Sequence, residues 1–397
     1  MSDKLKNIKI GGACLNQTAI DWKGNFQNIT NAINQAKHEQ VKILCFPELC
    51  ITGYGCEDLF LSDWVHQKAF ELLLDLREYC ANIAIAVGLP VIFENNLYNT
   101  TCLIENGTIK GFYAKQFLAN DGIHYEKRWF KGWKKGVKNF IEIEGNLYPI
   151  GDITLELSGI VTGFEICEDA WNVDRPASRL HDKQVELIMN PSASHFAFAK
   201  SKTREELVVS SSKKFNCIYM YVNLLGNQSG RIIYDGDILI ANHGKLVGRN
   251  SRLSFLDYNL LTYSINPIHS NNTSNILYDP EIKNEEFTKA VSLGLFDYLR
   301  KSGTMGFTLS LSGGADSSCI AVLVAEMVSI GINDLGKDEF LRKLNLSNSL
   351  LDDISNHKLI KHLVGHLLTT AYQGTQNSSL DTSESAKALA ESIGATF

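Results

Sequence analysis

Between residues 8 and 226 the chain carries seven short runs dense in Ile and Val, irregularly spaced and separated by helical or loop segments. They are IKIGGACL (8–15), VKILCFPE (41–48), NIAIAVGLP (82–90), YNTTCLIEN (98–106), SGIVTGFEIC (158–167), VELIMNPSAS (185–194) and CIYMYVNLLG (217–226). Short β-branched runs of this kind predict strands. Between the first two, Phe26, Ile29, Ile33 and Ala36 recur every three or four residues, which predicts an amphipathic helix. Strands alternating with helices bury their apolar faces only in layers, so residues 1–265 are expected to form a layered α/β domain. With 397 residues the chain has room for two or three such domains.

The polar stretch 266–286 predicts a linker, and residues 287–397 a second domain. There, 287–301 has helical spacing, FTLSL (307–311) reads as a buried strand and Ala315–Ile330 as the helix after it. Residues 331–360 are polar and helical in flavour, an insertion with no evident chemistry. LLTTAYQGTQ (367–376) predicts a second strand and turn, and TSESAKALAESIG (382–394) a second helix. That is too little for a complete doubly wound sheet.

At the first strand–helix junction stands SGGADSS. Gly313 and Gly314 let the backbone bend so that its N–H groups meet an anion, and the following helix points its positive end at the same spot. Ser312, Ser317 and Ser318 add hydroxyl donors, and Asp316 could hold Mg²⁺ beside phosphates. A Gly-Gly turn with an Asp/Ser cap begins many helices. The full motif between two apolar segments is more specific and predicts a phosphate site. It is not a Walker A loop, because GxxxxGK[ST] spacing is absent.

Composition narrows the classes further. A net charge of −6 gives no general attraction to nucleic acid or anionic lipid. Nine cysteines, an odd number without a CxxC pair, argue against a disulfide framework or zinc cluster and for a reducing cytoplasm. The N-terminus lacks a signal-peptide core, and no uninterrupted apolar stretch near 18 residues suggests a membrane span.

Three upstream positions form a chemically coherent set. Glu48 follows an apolar strand in a Pro-Glu-Leu turn, Lys115 ends a strand, and Cys167 lies where a strand runs into Glu-Asp. A cysteine thiolate attacks a carbonyl, a carboxylate carries the proton, and a fixed lysine stabilises the oxyanion. Most cysteines serve as buried small hydrophobes, and Cys45, Cys102, Cys217 and Cys319 read that way.

The sequence around the three resembles the nitrilase superfamily over residues 5–265, including VNLLGNQSGRIIYDGD (222–237) and NPSASHFAFAK after the cysteine. That resemblance implies a four-layer αββα sandwich with a Glu-Lys-Cys triad, and it matches Glu126 to a supporting glutamate. SGGADSS resembles the PP-loop of ATP pyrophosphatases, which implies a Rossmann-like αβα second domain binding ATP through Ser312, Gly313, Gly314, Asp316, Ser317 and Ser318.

Together the halves resemble glutamine-dependent NAD⁺ synthetases, with PELCITGYGCEDL, YEKRWF and ICEDAW as the most similar stretches. The resemblance implies that glutamine is hydrolysed at Cys167. The ammonia then passes through an internal tunnel to deamido-NAD adenylated by MgATP. Tyr54 matches a tyrosine near the tunnel entrance, Glu168 the position that binds the glutamine α-amino group, and Ser194 and Lys200 the segment closing over that end.

No tightly bound cofactor is implied, nor a nucleic-acid or membrane partner. Relatives pair through their amidase domains, which implies a homo-oligomer, up to an octamer. Two departures matter. His195 stands where many members have proline, which bears on the backbone beside Ser194. The family's synthetase domain also continues, with a Thr-Gly-Asn segment, beyond the position matching Phe397. Residues 287–397 are therefore expected to be an incomplete N-terminal part, able to support glutaminase chemistry but not NAD⁺ synthesis.

Other readings are a stand-alone ω-amidase with a vestigial nucleotide segment, and a non-catalytic nucleotide sensor. The intact Glu48, Lys115 and Cys167 set argues against the second. Other PP-loop amidotransferases carry unrelated glutaminase modules.

Overall fold

The Ile/Val runs pair into two stacked sheets. The computed structural model describes residues 8–180, 184–265, 275–276, 283–346, 355–375 and 379–397. Two compact units emerge: Met1–Gln228 with Ile232–Arg252 and Asp257–Pro280, and Ser229–Arg231 with Leu253–Leu256 and Glu281–Phe397. Apart from 275–276 and 283–286, the expected linker lies outside the described residues.

The first unit begins with β1 (Ile8–Leu15), α1 (Trp22–His38), β2 (Ile43–Cys45), α2 (Asp63–Leu76), β3 (Ala84–Phe93), β4 (Asn96–Glu105) and β5 (Thr108–Ala114). The short helix α3 (Glu126–Trp129) precedes β6 (Lys138–Ile143), β7 (Asn146–Gly151), β8 (Leu155–Leu157), β9 (Ile160–Phe164) and β10 (Leu187–Ser192). After α4 (Lys200–Lys214) come β11 (Ile218–Asn223), β12 (Leu225–Asn227), β13 (Ile233–Asp235) and β14 (Ile238–Asn242). The unit closes with β15 (Lys245–Arg249), β16 (Tyr258–Ile265) and β17 (Asn275–Ile276).

One sheet has the order β16-β1-β2-β3-β4-β5-β7-β6 and the other β17-β15-β14-β11-β10-β9-β8. They meet face to face where β1 crosses β11 and β14. A Cβ on Gly12 would come within 2.7 Å of Val222 and 2.9 Å of Ile238, so only glycine lets the layers approach there. Helices α1 and α2 cover the outside of the first sheet and α4 the outside of the second. This is the αββα sandwich. Helix α1 buries Ile29, Ala32, Ile33 and Ala36, and its N-cap Asp21 accepts the Gly24 amide.

Strand β2 is shorter than the run 41–48 predicted, because the chain turns at Pro47-Glu48-Leu49. Leu49 takes φ +49 there, and the turn nests against Gly88 of β3. A Cβ on Gly88 would stand 2.3 Å from the Leu49 amide nitrogen and 2.7 Å from the Pro47 carbonyl oxygen. Glycine at 88 thereby leaves room for the turn that aims Glu48.

The second unit comprises α5 (Lys283–Ser302), β18 (Phe307–Ser310), α6 (Ala315–Leu335), α7 (Lys337–Lys343), α8 (Asn356–Leu367), β19 (Leu368–Ala371) and α9 (Leu380–Ile393). Strands β18 and β19 pair in parallel, the arrangement a βαβ crossover produces. Two expectations are corrected here. FTLSL is not a buried strand: Phe307 to Ser310 alternate between half-buried and exposed, because β18 sits in a two-stranded sheet. Cys319 is exposed, whereas the other eight cysteines are buried and all nine are free. Helix α6 is long and apolar enough to cross a membrane by length and composition alone, with mean hydropathy 1.7. In the fold it packs against α5, α7, α8 and α9.

Candidate active site

Each member of the Glu-Lys-Cys set stands just beyond a strand. Glu48 follows β2, Lys115 follows β5, and Cys167 opens the turn after β9. Lys115 is fixed through its backbone, its N–H donating to Asn99 at 2.9 Å and its carbonyl accepting from Trp133 at 2.9 Å.

Lys115 Nζ donates to Glu48 Oε1 at 2.6 Å and to Glu126 Oε1 at 2.7 Å, and all three side chains are fully buried. Glu126 Oε1 also accepts the Tyr54 hydroxyl at 2.7 Å, and its Oε2 accepts the Ala119 amide at 3.0 Å. Burial opposes a charge on Lys115, yet Glu126, Glu48 and Cys167 together hold its pKa well above the ordinary value. Burial raises Glu48 to about 7 against the pull of Lys115. Its Oε1 is occupied by Lys115 and by Asn99 Nδ2 at 2.7 Å, while its buried Oε2 has no hydrogen-bond partner. One oxygen is held and the other is open.

Cys167 is 8% exposed and takes φ +46, a strained conformation for a side-chain-bearing residue. Burial pushes the thiol up to about 12, Glu48 adds to this, and Lys115 opposes it. At neutral pH it rests as a neutral thiol and needs a base. Glu168, next in the chain, is half-buried and raised by that burial.

Asp169 went unread in the sequence. Its Oδ1 accepts the Gln116 and Phe117 amides at 3.0 and 2.8 Å, and its Oδ2 the Ile166 amide and Tyr113 hydroxyl at 3.0 and 3.1 Å. One buried carboxylate thus ties the segment after Lys115 to the turn bearing Cys167.

The departure at His195 leaves the neighbouring backbone well held. Ser194 N–H donates to Asn223 Oδ1 at 2.8 Å, and its carbonyl accepts Asn223 Nδ2 at 2.8 Å and Arg204 Nη2 at 3.2 Å. The fully buried Arg204 also donates to Asp235 and to the His195 carbonyl. Lys200 begins α4, and burial and Arg204 lower its amine. Asn99, Arg204 and Asn223, like Asp169, carry no local sequence signal, since their partners are brought in by the fold.

In the second unit, Ser312, Gly313, Gly314, Asp316, Ser317 and Ser318 gather at the end of β18 and the start of α6. Ser312 and Ser317 hydroxyls lie 3.0 Å apart, and the Gly314 amide donates to Ser312 Oγ at 3.3 Å. Gly313 has φ +78 and packs against Thr382, whose carbonyl oxygen a Cβ would meet at 2.3 Å. No cluster of three metal-ligating side chains exists among the described residues. The one carboxylate of this loop, Asp316, suits Mg²⁺ that arrives on a nucleotide with phosphate and water ligands of its own.

Residues 10–255 match the carbon-nitrogen hydrolase family model. The chain is 31% identical to a glutamine-dependent NAD(+) synthetase of Dictyostelium discoideum, over 98% of this chain and 62% of that protein. Among solved structures, a glutamine-dependent NAD(+) synthetase from Cytophaga hutchinsonii is similar with a TM-score of 0.90 at 48% identity, over 99% of this chain and 64% of that one. A glutamine-dependent NAD+ synthetase from Acinetobacter baumannii, solved with ADP, shares the fold with a TM-score of 0.72 at 21% identity, over 98% of this chain and 64% of that one. The chain thus spans a little under two thirds of the relatives it matches.

Proposed function

The chain belongs to the carbon-nitrogen hydrolase family, and from that premise we propose that it supplies the glutaminase chemistry, and the ATP-binding loop, of a glutamine-dependent NAD⁺ synthetase. The observation that carries the reading is the sealed Glu48–Lys115–Glu126 set, with Glu48 Oε2 left open for a proton and Cys167 kept as a neutral thiol.

Glu48 takes the thiol proton as Sγ attacks the glutamine carboxamide carbon, and Lys115 stabilises the oxyanion. Glu48 returns the proton to nitrogen as the C–N bond breaks, releasing ammonia and leaving a thioester. Glu48 then deprotonates water, which attacks the thioester, and glutamate leaves as the thiol re-forms. Glu168, Ser194 and Lys200 hold the amino-acid end of glutamine, and Tyr54 stands toward the path that ammonia takes. The SGGADSS loop holds ATP phosphates on its backbone amides and hydroxyls, with Asp316 beside Mg²⁺. In a glutamine-dependent NAD⁺ synthetase, deamido-NAD is then adenylated with release of pyrophosphate, and ammonia displaces AMP.

The test is ammonia release from glutamine across pH. A base must be ionised to act, so a Glu48 titrating near 7 makes kcat/KM rise with pH through a midpoint of about 7 and level above it. Release from glutamine should exceed that from asparagine and simple amides. Equal rates on all of them would favour a general ω-amidase.

A further inference from the structure

The glutaminase cycle leaves a proton behind. Glutamine and water give a carboxylate, neutral NH3 and one H⁺. If ammonia departs neutral, as it must to act as a nucleophile elsewhere, the new γ-carboxylic acid passes its proton to Glu48. A protonated Glu48 cannot accept the next thiol proton, and its side chain has no surface on bulk solvent. Glu48, Lys115 and Glu126 are 0% exposed.

One hydrogen-bonded file leads out. Lys115 Nζ links Glu48 to Glu126, and Glu126 Oε1 meets the Tyr54 hydroxyl at 2.7 Å. Tyr54 Oη lies 3.1 Å from His124 Nδ1, and His124 Nε2 lies 3.0 Å from His195 Nδ1. Tyr54 and His124 are nearly sealed at 5% and 7% exposed, whereas His195 is partly open. Both ring nitrogens of His124 are therefore engaged along the file, and His195 joins it through Nδ1, as a proton shuttle requires.

We propose that Lys115–Glu126–Tyr54–His124–His195 is the exit path for the proton that each glutamine hydrolysis leaves on Glu48, with His195 handing it to solvent; this rests on the glutaminase reading above. Lys115 takes the Glu48 proton as it gives one of its own to Glu126. Once protonated, Glu126 Oε1 donates to Tyr54 Oη instead of accepting from it, so the tyrosyl hydrogen turns to His124 Nδ1 and passes there as Glu126 gives up its proton. The Nε2 proton of His124 then passes to His195 Nδ1, and His195 releases one from Nε2. Every member regains its starting state once the tautomers reset, and no oxidant or second reactant is needed.

The charges around the file suit transient occupancy. His124 faces Glu126 and Asp121 against Lys115 and Lys200, and His195 faces Lys200, His124 and Arg204 against Asp121. Burial and these cations lower both imidazoles, His195 to about 4, so neither retains a proton at neutral pH. Lys200 Nζ lies 3.3 and 3.2 Å from the two ring nitrogens of His195. His195 is the one member of the file that is partly exposed, so it is the member that meets solvent.

The experiment measures steady-state ammonia release from glutamine by the wild-type chain, His195→Ala and His195→Gln, with and without added imidazole. Both variants are expected to lose on the order of tenfold in kcat with KM little changed. Imidazole, entering the space vacated in His195→Ala, is expected to restore the rate in proportion to its free base. His195→Gln keeps hydrogen-bonding atoms near both neighbours but cannot relay a proton, and stays slow. A glutamine variant as fast as wild type, an alanine variant that imidazole does not rescue, or an alanine variant at full rate would each overturn the relay. Silence of the wild-type chain with glutamine would instead remove the glutaminase reading on which it rests.

Discussion

Cys167→Ala is expected to abolish ammonia release from glutamine, by about 10⁴-fold or more, since removing a covalent nucleophile leaves only the residual catalysis of the surrounding groups. Stability should change by no more than about 1–2 kcal/mol, because the lost atom is one buried sulfur and the alanine Cβ fills the same place at φ +46. Ammonia assays and denaturant unfolding of the same preparations check both halves. Retained release by folded Cys167→Ala protein would remove Cys167 as the nucleophile.

Lys115→Met carries the second large effect, on stability as well as rate. Nζ is the shared partner of two fully buried carboxylates at 2.6 and 2.7 Å. Removing one member of such a set leaves charge buried and uncompensated, at a cost of about 3–5 kcal/mol. Without the lysine, nothing offsets the burial of Glu48 beside Glu126, and the Glu48 carboxyl, already raised to about 7, moves further above its unfolded value. A raised carboxylic acid favours the fold below its unfolded pKa and loses that advantage as pH climbs through the folded value. The penalty relative to wild type is therefore largest above pH 7 and shrinks toward pH 5. Urea unfolding of both proteins at pH 5 and pH 8 measures it, and a pH-independent difference would contradict the ionic account. Glutaminase activity falls as well, because the oxyanion loses its cation.

Much of this was legible along the chain, for reasons that differ by residue. The period of Phe26, Ile29, Ile33 and Ala36 specifies α1, because the buried stripe of a surface helix repeats at helical spacing. The strand ends bearing Glu48, Lys115 and Cys167 could be read because apolar runs stop where polar residues begin. Strands β6 and β7 were missed. They pair with each other at a sheet edge, and β6 alternates exposed with half-buried residues up to the buried Ile143, so KNFIEI lacks a continuous apolar face. FTLSL misled in the opposite direction, its apolar residues lying in a two-stranded sheet with open faces.

Within the site, the sequence could propose partners only through resemblance. Tyr54 and His124 are separated by 70 residues and His124 and His195 by 71. No local pattern reports such meetings, because the stacking of two sheets brings the loops together. Asp169 was hidden differently. Beside Glu168 it reads as one more polar residue, and only its four buried donors reveal that it fastens two turns.

The central claim is that a buried, neutral cysteine is the reactive one. The most direct measurement is covalent labelling with a glutamine analogue carrying an electrophilic ketone in place of the carboxamide, followed by peptide mapping of all nine cysteines. By accessibility alone, the exposed Cys319 should react first and the buried eight scarcely at all. The account predicts one label per chain, on Cys167, prevented by excess glutamine and absent in Lys115→Met. Labelling of Cys319 with Cys167 untouched, or labelling of Cys167 that glutamine does not slow, would contradict it.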